Sequence, residues 1–311
     1  MRTLIFMSKL GKRSTAEEAL QGQSLKGKTA IVTGASSGLG IETTRVLALA
    51  GANVTLAVRN VEAGEKVKAQ LAAALPAGSG QLDVKALDLS DLSSVRTFAA
   101  ASGDGPLDLL INNAGIMAPP LGVTAQGWES QLGTNHLGHF LLTLLLEKRL
   151  KQSPAARVVT LSSDLHRRGK GASVLTTLET DRGFTQRKYA GFAQYGDSKL
   201  ANVLFVKGLA KRLPANVKAF SVHPGVIPTN LSRSMFGAAV FRAVGRLFMK
   251  SVEQGAATTV YAASAPELEG QSGAYLSDCH VETPLHEALD ETLVERAWAL
   301  SQKAVEPYLR S

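Results

Sequence analysis

The chain has 311 residues, 34 of them Lys or Arg and 26 Asp or Glu, for a formal net charge of +8; this length admits one large domain or two small ones. With 45% apolar and 19% charged residues, the composition excludes a wholly disordered chain. A single cysteine, Cys279, excludes an internal disulfide and a cysteine-built metal site, and no metal site is expected.

Residues 1–27 read as an arm, in which Ser14, with Glu17 three residues on, opens a short helix. The apolar run Thr3 to Met7 is too short for a secretory leader. From Lys28 onward strands and helices alternate. Thr29 to Thr33 is a β-branched strand, and residues 38–50 carry apolar side chains at helical spacing. Val54 to Val58 is a second strand, 61–75 an amphipathic helix, and Leu82 to Leu87 a third strand. A helix over 91–101 starts at Asp91 or Ser90. Leu107 to Ile111 is a fourth strand, 126–151 one long helix, and Arg157 to Leu161 a fifth strand. Its most apolar stretch, Phe140 to Leu146, is far short of the ~20 residues of a membrane span. A helix over 193–213 precedes a strand at Val217 to Val222. The pattern closes with a helix at 252–264, a strand at Gly273 to Leu276 and a helix at 286–304. Short apolar strands between helices predict an α/β fold, with one doubly wound domain over 28–311. Its parallel sheet has about seven strands, and two irregular excursions fall near 164–190 and 226–250.

The first strand runs into Gly34-Ala35-Ser36-Ser37-Gly38-Leu39-Gly40. Glycines there permit a tight turn, and the helix start offers N–H groups and a positive dipole end to a pyrophosphate. Gly34, Ser36, Ser37, Gly38, Leu39 and Gly40 are therefore candidate dinucleotide contacts. At the end of the second strand stands Arg59, with no carboxylate. A guanidinium grips a 2′-phosphate that a carboxylate repels, which favours NADP(H) over NAD(H). Asp88 and Leu89, after the third strand, are candidates for the adenine side. The basic surplus fits an anionic cofactor, and no basic helix face interleaved with aromatics suggests nucleic acid.

Tyr195 and Lys199 are four apart and share a face if helical. An ammonium beside a phenol stabilises the phenolate and fits it for proton exchange. His136, His139, His166 and His223 suggest a metal or a triad, but their scattered spacing reads as packing or surface positions.

TGASSGLG at 33–40, Asn112-Asn113-Ala114-Gly115, Asn135, Ser162-Ser163 and YGDSK at 195–199 follow one another in order. Together they resemble the short-chain dehydrogenase/reductase family, over about residues 26–305. STAEEAL, TNHLGHFLLT and YGDSKLANVLF look like its retinol dehydrogenase and WW-domain oxidoreductase-like group, here without a WW domain. The resemblance implies a Rossmann fold and hydride transfer between nicotinamide and a carbonyl or alcohol. It implies Tyr195 as the proton donor or acceptor, and Lys199 on the nicotinamide ribose, lowering the Tyr195 pKa. Ser163 would hold the substrate oxygen, and Asn135 a water in a proton relay. Asn113, Ala114 and Gly115 would line the cofactor site, with Pro224, Gly225, Ile227 and Thr229 beside the nicotinamide.

The excursion at 164–190 is longer than in most of the family and lies at the substrate mouth. The apolar segment 236–249 looks like a lid over an apolar substrate, retinoid-like, steroid-like or long-chain; the alternative is a membrane-surface or dimer helix. A catalytically silent NADP(H)-sensing interaction protein is the rival reading. Family members often pair through helices equivalent to 126–151 and 193–213, so a dimer or tetramer is expected. Missing targeting signals point to a cytoplasmic protein.

Overall fold

A computed structural model of the chain describes residues 10–227 and 249–309. Thr229 and all but the last residue of the apolar segment 236–249 lie outside the described residues. Eight strands form one sheet: β1 (Thr29–Thr33), β2 (Asn53–Val58), β3 (Leu82–Ala86), β4 (Leu109–Asn112), β5 (Ala156–Leu161), β6 (Val217–His223), β7 (Tyr275–Ser277) and β8 (His280–Glu282). Their order is β3-β2-β1-β4-β5-β6-β7-β8, all parallel except for the β7–β8 pair. The chain order reverses between β1 and β4. The crevice outside the carboxyl ends of those two strands is where such sheets take ligands.

Helices cover both faces. On one lie α1 (Ala16–Ala19), α2 (Gly38–Leu49) and α3 (Val61–Ala74), with α10 (Val252–Ser264). On the other lie α4 (Leu92–Ala101), α5 (Ser130–Leu132), α6 (Gly138–Leu145), α7 (Glu147–Gln152), α8 (Gly171–Glu179) and α9 (Gly191–Arg212), with α11 (Glu291–Leu309). Each face buries its own apolar cluster, as two-sided burial of apolar strands requires. The helix α11 packs across α6 and α9, the two helices expected to carry pairing between chains. Trp298 of α11 meets the rings of Phe140 and Phe205 at centroid distances of 4.9 and 6.0 Å.

Four local expectations change. The first helix is capped by Thr15 with Glu18, one residue later than the Ser14 and Glu17 pairing, and Glu17 pairs with Arg45 instead. The long helix over 126–151 is divided. Glu129 caps Gln131 and Leu132 through its carboxylate, so helix begins at Ser130. A π-turn, Gly133–Leu137, then widens the spiral before α6, and the backbone turns at Leu146 into α7. The excursion after Ser163 is ordered, with a 3-10 turn (Asp164–Arg168) and α8. Finally, β8 adds an eighth, antiparallel strand through a two-residue turn at Asp278 and Cys279, both left-handed, with φ 50° and 62°. Asn-Gly is the usual signature of such a turn, and Asp-Cys does not advertise it.

Candidate active site

The site is built from the carboxyl edge of the sheet. Thr33 ends β1, and its hydroxyl accepts from the backbone N–H groups of Asn113 and Ala114, each at 2.9 Å. The Asn113 amide donates to the Thr33 carbonyl at 2.7 Å. The loop after β4 is thereby stitched to the glycine turn. Gly34 is left-handed with φ 65°, and a Cβ on it would lie 3.0 Å from the Ala114 Cα. A Cβ on Gly40 would sit 2.4 Å from the Gly34 carbonyl oxygen, so the turn closes only around glycine. Ser37 stands at the N-cap of α2, yet its side chain makes no bond to the helix, which leaves the amides at the helix start without a side-chain cap.

Arg59 follows β2 on the same edge; it is exposed and makes no hydrogen bond or ion pair among the described residues. Asp88 is committed locally, its Oδ1 accepting from the Ser90 amide at 2.9 Å and hydroxyl at 2.6 Å. Leu89 is buried beneath the start of α6, where Gly138 allows the approach. Ile227 and Leu39 meet over Gly255, whose added Cβ would clash with both at 2.5 and 2.7 Å. Gly225, after Pro224, is left-handed with φ 93° and rests on the aliphatic stem of Lys250. The glycine cradles, the uncapped helix start and an unpaired guanidinium on one edge fit a dinucleotide phosphate.

Four polar side chains converge at the ends of β4 and β5. Ser163 caps the 3-10 turn, accepting from the Leu165 N–H at 3.2 Å, and its hydroxyl lies near enough to the Tyr195 phenol to lower its pKa. One turn along α9 from Tyr195, the Lys199 ammonium donates to the Leu161 carbonyl at 3.0 Å. Asn135, in the π-turn, accepts from the Ile116 N–H at 2.8 Å. Its amide donates to the Ile116 carbonyl and to the Ser198 hydroxyl, both at 3.0 Å. Gly115 completes the ring; a Cβ there would meet Asn135 Oδ1 at 3.2 Å and Lys199 Nζ at 3.4 Å. Ser162 and Asn112 face elsewhere. The Ser162 hydroxyl donates to the Lys199 carbonyl at 2.9 Å, and the Asn112 amide to Thr143 and Thr160.

Burial sets the electrostatics. It pushes the Tyr195 phenol up to about 12, against the lowering by Ser163, and pushes Lys199 down to about 8. The expected lowering of the Tyr195 pKa by Lys199 does not arise in the free chain, where the ammonium is turned to the Leu161 carbonyl and is itself desolvated.

The sequence reading took His139 as a packing or surface position, and the structure buries it. Its Nδ1 donates to the Asn135 carbonyl at 3.0 Å, which fixes the tautomer, and its Nε2 accepts from the Thr33 hydroxyl at 2.9 Å. Burial pushes its pKa down to about 3, so the ring stays neutral. It joins the end of β1 to the π-turn that holds Asn135, and the hint in the sequence is its i+4 spacing from Asn135. His136 bonds Ser301, and His166 bonds the Ser163 carbonyl and the Leu285 N–H. His223 accepts from the Asp164 N–H.

Residues 28–174 match the family model of the short chain dehydrogenases. Short-chain dehydrogenase TIC 32 B, chloroplastic, of Brassica napus is 40% identical, over 95% of this chain and 94% of its own. Retinol dehydrogenase 12 of Mus musculus is 42% identical over 89% of this chain and 86% of its own. The WW domain-containing oxidoreductase of Pongo abelii is 41% identical over 96% of this chain and 73% of its own. Among solved structures, an uncharacterised protein from Mycobacterium paratuberculosis superposes with a TM-score of 0.73 at 37% identity, covering 93% of this chain and 97% of that one. The Pseudomonas aeruginosa RhlG/NADP active-site complex does so with a TM-score of 0.63 at 25% identity, covering 82% and 96%.

Proposed function

The chain belongs to the short-chain dehydrogenase/reductase family and is an oxidoreductase of alcohol and carbonyl groups, and from that premise we propose that it uses NADP(H) and an apolar carbonyl substrate, with Tyr195 moving the proton. The observation that carries this reading is the convergence of Tyr195, Ser163, Lys199 and Asn135 on one point at the carboxyl edge. Bound NADPH supplies the hydride. Ser163 and Tyr195 both address the carbonyl oxygen, and Tyr195 gives it the proton as the alcohol forms. In this reading Lys199 returns a proton to the phenol through a water held at Asn135. In this reading Gly34, Ser36, Ser37, Gly38, Leu39 and Gly40 hold the pyrophosphate, and Arg59 holds the 2′-phosphate.

The apolar substrate is supported by the rim. Leu121, Val123, Phe192 and Val226 are exposed on the segments that follow β4, open α9 and follow β6. Scattered apolar side chains are ordinary, but four on segments at one mouth favour an apolar guest. The name of one relative, retinol dehydrogenase 12, points the same way. A cytoplasmic setting belongs to the same proposal; the free, buried Cys279 is compatible with it. Among the described residues no helix is long and apolar enough to cross a membrane. The test is Tyr195→Phe, which keeps NADPH binding and loses carbonyl reduction.

A further inference from the structure

Gln131 lies one helical turn before Asn135, fully buried, and its amide is spent on three different segments. Its Oε1 accepts from the Ala118 N–H at 2.8 Å. Its Nε2 donates to the Tyr189 hydroxyl and to the Gly191 carbonyl, both at 2.9 Å. Ala118 belongs to the loop after β4, Tyr189 ends the long excursion, and Gly191 is the first residue of the helix that carries Tyr195. The Tyr189 hydroxyl in turn donates to the Pro119 carbonyl at 3.0 Å.

Two features show that the join is under constraint. Ala118 is held left-handed, with φ 47°, a conformation that a residue with a Cβ adopts only when its surroundings impose it. Gly191 packs on it so closely that an added Cβ would lie 3.1 Å from the Ala118 Cα. Asn135 fixes the same loop two residues earlier, at Ile116, and reaches α9 through Ser198. Two amides on one helix therefore each grip the loop and α9. Asn135 does so on the catalytic side; Gln131 does so toward the exposed residues Leu121 and Phe192.

We propose that Gln131 is a positioning residue for substrate: it sets the distance between the 118–121 wall and the start of α9, and so decides which carbonyl compounds reach Tyr195. Tyr189 extends the same clamp to the excursion, which Asp181, Arg187 and Phe184 brace. The Arg187 guanidinium pairs with Asp181 at 2.9 Å and lies 4.2 Å from the centre of the Phe184 ring, which meets Tyr189 edge-on at 5.6 Å. The excursion is thus tied to the wall of the site through the buried Gln131 amide and through the bond from Tyr189 to Pro119.

The proposal rests on the functional reading above in its kinetic arm and stands without it in its exchange arm. Gln131→Leu keeps the side-chain volume and removes all three bonds. With decanal and NADPH as the probe, it should raise the decanal KM about tenfold with kcat within about threefold and the NADPH Kd within about twofold. Amide exchange should quicken at Ala118 and over 189–194, and stay unchanged at Ile116. Tyr189→Phe should shift KM the same way by less, and adding it to Gln131→Leu should cost less than it does alone, because only the Pro119 bond is left to lose. Should the leucine variant not fold, Tyr189→Phe alone decides by the same readouts. An unmoved KM beside a loosened Ala118 overturns the proposal. So does a rise in NADPH Kd that keeps step with KM, or exchange that quickens through the whole sheet, since both mark a merely structural residue. If the wild type does not turn over decanal, the apolar-substrate reading fails instead, and local rather than global exchange in Gln131→Leu still decides for or against the clamp.

Discussion

The Lys199 ammonium lies 5.5 Å from the centre of the Tyr195 ring but donates to the Leu161 carbonyl, so the two groups meant to exchange protons stand side by side, each perturbed by burial. The phenol is pushed up to about 12 and the ammonium down to about 8. On the proposed mechanism, reduction needs Tyr195 protonated, which holds throughout the neutral range. It also needs Lys199 charged, which holds only below about 8. The kcat/KM for NADPH, which reports the free enzyme, should therefore be level between pH 6 and 7 and fall as pH rises through about 8. A profile that stays level to pH 10 would contradict the burial of Lys199 as drawn.

Arg59 is exposed and unpaired among the described residues, so removing it disturbs nothing else. Arg59→Ala should leave melting temperature within a degree or two and weaken NADPH binding by roughly 10- to 100-fold, the size of a lost charge-assisted contact. NADH binding should barely change. Equal losses for both cofactors in a titration would remove Arg59 from the 2′-phosphate.

Acid should destabilise the fold early. Burial holds His136 down to about 4, His139 to about 3 and His223 to about 4, from an ordinary 6.5, and His166 is lowered too. These rings stay neutral in the folded chain while the unfolded chain takes up protons below 6.5. Their contribution is whole above pH 6.5 and is lost as pH falls toward 4, at about 1.4 kcal/mol per pH unit for each ring well below 6.5. Glu129 and Asp197, raised by burial, act in the opposite sense, but from lower ordinary values. Urea midpoints at pH 7 and 5 should differ markedly; equal midpoints would show that the histidines are solvated.

The join between α9 and α11 turns on Gly208. A Cβ there would sit 2.5 Å from Trp298 Cε3, and the Arg212 guanidinium lies 4.3 Å from the centre of that indole. Gly208→Ala should cost about 1–3 kcal/mol by overpacking, and Trp298→Ala about 3–5 kcal/mol. In the double variant the alanine has room, so the pair should be less destabilised than the sum. Additive losses in chemical denaturation would mean that the two do not touch.

Much of this architecture was legible because short apolar strands and helical periodicity leave few arrangements. β1, α10 and the start of β6 fall within a residue of where apolar spacing puts them. The failures have local causes. Glu129 starts a helix through its side chain, and a π-turn then breaks a periodicity that reads as continuous. The strand His280–Glu282 is exposed throughout, so burial left no alternation to read. At the site, motif residues with unusual chemistry stood out. Gln131 and His139 did not, because their roles come from segments far apart in sequence that only the fold brings together.

The central claim is proton transfer at Tyr195, and the direct measurement is NADPH absorbance with apolar aldehydes and ketones, wild type against Tyr195→Phe. The variant removes one hydroxyl, so NADPH binding should persist while reduction falls by about 10²- to 10⁴-fold, the range for a lost general acid. Reduction that proceeds unimpaired in Tyr195→Phe would contradict the mechanism, whatever the substrate proves to be.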